Sequence, residues 1–200
     1  MAVLTAAQAR LYIRGLTGTG EDTALDTLIG RADALFASYL GLPAATAGGV
    51  PTIEDVTYTL YLDGPGTPEL RLPILPIQSV TTLHDSTDRT YVAADLIDAT
   101  DYTVFGDEGL IRLDDDGSVG SFSKGRRAVK VVAVVGFTAI PASIEHAVGM
   151  QVAHWYNARD HIGRTSVSQG GGSISVKGLD LLPEVLEALR PFRLTSTWMG

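Results

Sequence analysis

Apolar positions in the first fifty residues recur at helical spacing. Leu25, Leu28, Ile29, Ala32, Leu35, Phe36 and Tyr39 follow one another three or one residues apart, forming one stripe along a helix opened by Glu21 or Asp22. Burial of all seven is the expectation, at ~1.5–3 kcal/mol for each large side chain before entropy. Gly41 and Pro43 then stop the helix. Ahead of it, Thr5 caps a short helix over 6–14, with Gln8 placed to complete a capping box. From residue 54 the period changes to two. Val56, Tyr58, Leu60 and Leu62 alternate with polar partners, and 69–72, 77–84, 102–105 and 110–113 read as further strands between polar turns. The most apolar strand, 128–137, carries five valines. Helical spacing returns after Pro141 in Ile144, Ala147, Val148, Gln151, Val152, Trp155 and Tyr156. A glycine-rich stretch over 163–178 reads as a flexible loop, and Asp180 caps a last helix around 183–189.

This order predicts an α+β protein: a small helical bundle with an antiparallel β insertion, sandwich- or barrel-like, and an extended C-terminal tail. Residues 1–53 supply the first helices, 54–137 the β insertion, 138–190 the remaining helices with the loop at 163–178, and 191–200 the tail.

Composition narrows the chemistry. The chain has 200 residues and no cysteine, which excludes disulfides, zinc–thiolate sites and thiol catalysis. The start, Met1 to Thr5, lacks a basic region followed by an apolar core, so no signal peptide is expected. The longest apolar run, Val131–Val135, falls far short of the ~20 residues of a membrane span. Net charge is −8, which argues against sequence-independent binding to duplex phosphates. Residues 1–123 hold 18 acids and 6 bases, whereas 124–200 hold 5 and 9, a split that can supply two unlike surfaces.

No catalytic or metal motif stands out. Gly170-Gly171-Gly172 lacks the Gly-Lys-Ser/Thr ending of a phosphate loop. Asp114-Asp115-Asp116-Gly117 has consecutive rather than alternating acids, so it reads as a turn and not a calcium loop. His146 and His154 lie too far apart on one helix to chelate one ion. A hydrolase built from His84 with Asp101, Asp107 or Glu108 has no spacing motif behind it. Neither a cofactor nor a metal is expected, and no enzymatic activity.

Two segments point instead to contacts. Lys124, Arg126, Arg127 and Lys130 form a basic cluster ahead of the valine-rich strand, with only Phe122 as a nearby aromatic. It reads as a solvated strand edge, a subunit contact or a DNA-facing patch. After the last helix, Arg190, Phe192, Arg193, Leu194, Trp198 and Met199 place large apolar and arginine side chains on an aperiodic tail, a composition suited either to tucking onto its own domain or to docking on a partner.

The order of these pieces resembles the phage head–tail connector, or adaptor, proteins, including those of phage-like gene transfer agents. The likeness rests on Leu4-Thr5 with Ala9-Arg10 and Ile13-Arg14, on Asp22, Leu25, Leu28, Ile29 and Ala32, and on Leu72-Pro73 with Pro76-Ile77 and Ser79-Val80. It continues through Val135-Gly136-Phe137 to Ile140-Pro141, His154-Trp155-Tyr156 with Arg159, and Leu189-Arg190-Pro191-Phe192-Arg193. The resemblance implies a structural adaptor at the head–tail interface of a virion or phage-like particle, made in the host bacterial cytoplasm. It would form a ring of about twelve copies on the portal protein, extend the DNA channel and offer the surface for stopper or tail proteins. DNA would pass without specific binding, and no membrane is involved. It assigns portal binding to the segment from Arg190 through Met199. Gly170, Gly171, Gly172 and Lys177 are candidates for a loop facing the stopper or the channel. An alternative of another class is a carbohydrate-binding β module of a virion surface protein, using Tyr58, Tyr61, Tyr91 and Tyr102 as a platform.

Overall fold

A computed structural model describes residues 3–159, 166–169, 172–175 and 181–193. The chain divides into a helical unit, residues 1–40 with 140–193, and a β unit, residues 41–139. The α+β class read from the sequence is the one observed.

In the helical unit, α1 (Ala6–Arg10) is capped as predicted: the Thr5 hydroxyl accepts from the Gln8 amide while the Gln8 side chain accepts from the Thr5 amide. The helix is shorter than the expected 6–14, the chain passing into turns after Arg10. Helix α2 (Asp22–Leu40) buries Leu25, Ile29, Ala32, Phe36, Ala37 and Leu40. The predicted stripe is wider than the core uses. Leu28 and Tyr39 are only half-buried, and Leu35 is 39% exposed. Helix α3 (Ala142–Ala158) follows Pro141, which stands at the N-cap, and buries Ile144, Ala147, Val148, Val152 and Trp155. Its Gln151 is fully buried and accepts from the Leu182 amide at 2.9 Å, tying the start of α4 (Pro183–Leu189) to α3. Asp180, the expected cap, lies outside the described residues, and Leu182 holds the N-cap position.

The stretch expected to be an unstructured glycine loop contains an antiparallel pair, β7 (Ser166–Gln169) and β8 (Gly172–Ser175). Ser and Val at alternate positions satisfy a ladder once their partner is a local turn away. In the sequence, the glycine run of this stretch reads as linker.

The β unit contains two three-stranded antiparallel sheets. In one, the long strand β6 (Gly125–Val135) lies between β1 (Val56–Gly64) and β3 (Ile77–Asp85). In the other, β5 (Leu110–Leu113) lies between β2 (Glu69–Arg71) and β4 (Tyr102–Phe105). Strand β6 buries Val129, Val131, Ala133 and Val135 completely, while Lys130, Val132 and Val134 take the other face. It starts three residues earlier than its apolar run, because paired backbone and not hydropathy marks its beginning. Gly136, at φ +125°, closes the unit: a side chain there would stand 2.2 Å from the Glu54 carbonyl. Beside it the Phe137 amide donates to Ile53 at 3.0 Å, so the β unit is entered and left at one point.

Candidate interaction surfaces

The basic cluster is reorganised by folding. Arg126, Arg127 and Lys130 lie within β6 rather than before it, and Lys124 immediately precedes it. The single nearby aromatic expected, Phe122, is 1% exposed and belongs to the core. Two tyrosines distant in sequence take its place. The Arg127 guanidinium lies 4.8 Å from the Tyr61 ring centroid, and Tyr61 meets Tyr91 at 5.3 Å with planes tilted by 55°. The Lys130 ammonium lies 5.8 Å from the Tyr91 ring. Strand register explains half of this, since Tyr61 on β1 and His84 on β3 both pair with Lys130.

Backbone geometry fixes the rest. Arg127 and Tyr91 both occupy the left-handed region, at φ 53° and 50°, where side chains carry strain. The Tyr91 hydroxyl donates to the Arg127 carbonyl at 2.6 Å, and the Arg127 amide donates to Asp63 at 2.8 Å. Tyr61 could have been found from its outward parity on β1. Tyr91 could not, because it arrives on an irregular loop. Exposed cation–aromatic contacts contribute about 0.5–1 kcal/mol each. The Asp63 carboxylate, which accepts from the Arg127 amide, lies within the patch, so the patch suits a protein surface better than a track of phosphates.

His84 shares this region. Burial, and then the Lys130 charge, hold its pKa below the ordinary value, with Asp95 acting in the opposite sense. Its Nδ1 and the neighbouring Asp85 Oδ1 are buried without a hydrogen-bond partner. The hydrolase grouping does not form: Asp101 precedes β4 and is engaged by Ser118, whereas Asp107 and Glu108 lie at the far end of the β4–β5 hairpin. Among the described residues, no three histidine or acidic side chains are placed to hold a metal ion. His146 meets the Tyr12 hydroxyl at 3.3 Å instead. No described helix is long and apolar enough to cross a membrane.

The tyrosine platform also fails to assemble. Tyr58 faces the core, 3% exposed, and donates to the Pro43 carbonyl at 2.7 Å; burial raises its pKa. Tyr102 lies on β4, in the other sheet from Tyr58 and Tyr61.

The closing segment is described through Arg193. After α4, Arg190–Phe192 form a 3-10 turn. Arg190 lies 3.6 Å from Glu187 in an exposed pair of little energetic worth, and the Arg193 guanidinium lies 5.3 Å from the Tyr39 ring. Leu194, Trp198 and Met199 lie outside the described residues, as do Gly170, Gly171 and Lys177; Gly172 opens β8.

A third surface has no counterpart in the sequence reading. Between α2 and α3 runs an apolar groove of roughly 300 Å³, lined by Ala24, Thr27, Leu28, Arg31, Trp155, Tyr156 and Arg159. Arg31 lies 4.9 Å over Trp155 and Arg159 4.0 Å over Tyr156. Arg159 also bonds Glu21 at 2.8 Å, which raises its pKa further. Trp155 and Tyr156 read correctly as core residues, but their outer edges form the groove floor.

A helical unit interrupted by a β unit, with cation–aromatic contacts in each, defines an α+β protein. Its sequence matches the family model of head completion proteins over residues 2–194. The chain belongs to the head completion protein family. Comparison with curated proteins gives no match. Among solved structures, a chain from the virion of a native gene transfer agent particle is similar at 20% identity and TM-score 0.60, covering 99% of this chain and 93% of that one. A chain from the neck of the native particle, computed with C12 symmetry, is similar at 16% identity and TM-score 0.61, covering 99% and 92%. The corresponding neck chain of the empty particle, computed with C6 symmetry, gives 18%, 0.59, 99% and 93%. These likenesses establish the shared fold.

Proposed function

We propose that this protein is a structural, non-enzymatic adaptor that completes the head of a phage or gene-transfer-agent-like particle. It docks on the portal protein as a ring, extends the DNA channel and offers the surface on which stopper or tail proteins assemble. The observation carrying this reading is the family match over nearly the whole chain. The C12 and C6 symmetry of the necks holding similar chains supports a ring, of twelve copies in this reading.

Within that role, Arg190, Phe192, Arg193, Leu194, Trp198 and Met199 grip the portal. Lys124, Arg126, Arg127 and Lys130 contact the neighbouring subunit, where the offset charge of their patch fits a protein partner. Gly170, Gly171, Gly172 and Lys177 face the stopper side. The carbohydrate reading loses its support with the separation of its tyrosines.

Analytical sedimentation with and without the cognate portal tests the proposal. The protein alone is expected to run as a monomer or weak oligomer, and with portal as a ring. Deleting residues 194–200 should abolish docking while leaving the melting temperature nearly unchanged. Failure of the intact protein to associate with the portal would overturn the reading.

A further inference from the structure

Strand β1 is the open edge of its sheet. It pairs with β6 in unbroken register from Val56 to Leu62, and among the described residues these positions make no other backbone hydrogen bond. The opposite edge is closed. There β3 carries two register irregularities, its Ile77 amide donates to Gly106 at 2.9 Å, and its Leu83 carbonyl accepts from the Ile97 amide at 2.8 Å. Bulges and covering loops are how a sheet blunts an edge, and β1 has neither between Val56 and Leu62. Its core-facing Leu60 and Leu62 stay half-buried, although Tyr58 on the same face is 3% exposed. The other face carries Thr57, Thr59 and Tyr61, all exposed.

The β7–β8 hairpin has the complementary deficit. It forms a sheet of two strands, an arrangement that is marginal in water without a third. Its register sets Val167 opposite Ile174 on one face, and Ser166, Ser168, Ser173 and Ser175 on the other. Added to the β1 edge, the hairpin continues the half-covered Leu60–Leu62 face with Val167 and Ile174, and the threonine face with serines. Charge agrees as well. Strand β1 has no charged residue between Asp55 and Asp63, and the nearest charges flanking the hairpin in the sequence are Arg164 and Lys177. A second β1 fits worse, because antiparallel pairing of two copies centred on Thr59 sets Asp55 against Asp63 at both ends.

We propose that the open edge of β1 receives the β7–β8 hairpin of a second copy of this chain by strand addition. Edge and hairpin are separate sheets within the chain, so the pairing joins two copies. It rests on the ring reading above and names the contact within it. The two surfaces are unlike, so every copy gives a hairpin to one neighbour and takes one from the other, the head-to-tail arrangement that a closed ring requires.

The absence of native cysteine allows a direct test in the full chain. Thr59→Cys is combined with Ser173→Cys, or with Ser168→Cys to cover the other hairpin strand, and treated with a short bismaleimide. The reaction is run on portal-bound assemblies and on concentrated protein alone. Covalent multimers longer than dimers are expected from the double variants, whereas each single variant can give dimers at most. Adding Ile174→Pro, which removes a backbone donor from β8, should abolish the multimers. Circular dichroism and the melting temperature of each variant check that the fold persists. Efficient dimers from Thr59→Cys alone would overturn the proposal, since β1 would then meet β1. Cross-links confined to single chains would overturn it too. Absence of multimers from both double variants overturns the pairing, and where rings still sediment with the portal the ring reading stands without it. Multimers in protein that never joins the portal support the pairing while the docking reading fails.

Discussion

At Gly149 the missing side chain is what lets Tyr12 pack. A β-carbon there would stand 2.4 Å from the Tyr12 ring, closer than any real contact. Gly149→Ala should destabilise the helical unit by about 1–3 kcal/mol, the usual range for overpacking, despite alanine's better helix propensity. Thermal unfolding read by circular dichroism checks this, and a stabilised variant would show that Tyr12 moves freely. His84 makes a different residue-level statement. Its lowered pKa means that below pH 6.5 the unfolded chain binds more protons than the folded one. Its contribution is fully present above pH 6.5 and is lost as the pH falls through the lowered folded value. His84→Gln should therefore flatten the fall in melting temperature between pH 7.5 and 5, measured against the parent protein. An unchanged slope would place that dependence elsewhere.

Within an element, α2 shows how periodicity and burial part company. Leu35 and Phe36 are adjacent and equally apolar in pattern, yet Phe36 is 0% exposed and Leu35 39%. Phe36→Ala should cost about 3–5 kcal/mol, whereas Leu35→Ala should stay within about 0.5 kcal/mol of the parent. Denaturant titration of the two variants separates them. Strand β6 gives the converse case. As a strand it was legible from its five valines, which mark the middle of the sheet between two antiparallel neighbours. Its basic start was not legible, because pairing resumes at Gly125 across an irregularity, and Arg127 is held there by the Asp63 carboxylate and the Tyr91 hydroxyl, partners that hydropathy does not report.

Over the whole molecule, charge does not follow the linear split. Residues 41–139 carry 14 acids and 7 bases, whereas 1–40 with 140–193 carry 9 and 8. The −8 thus belongs almost wholly to the β unit, and the basic cluster lies inside the acidic unit rather than opposite it. In the ring proposed above, unlike surfaces are available within this one unit, from the acidic turn Asp114–Asp116 and the Arg127 patch. The β unit also begins and returns at the Ile53–Phe137 bond, and its buried valines meet residues of its own strands. Residues 41–139 expressed alone should fold cooperatively, with a β-type circular dichroism spectrum and a single urea transition. A broad, non-cooperative transition would show that the helices are needed to hold it.

Local rules determined much of this protein from its sequence: the Thr5–Gln8 cap, the period change near residue 54, the strand parity and the breaks at Gly and Pro. Each depends on neighbours within a few residues, where covalent geometry limits the choices. Tertiary structure alone decided which flank of the α2 stripe is covered, which tyrosines meet Arg127 and Lys130, and that a groove opens over Trp155. Those outcomes depend on partners tens of residues away, whose approach is set by the packing of whole elements. A pattern of apolar positions records that a side chain can be buried; only the element packed against it decides whether it is.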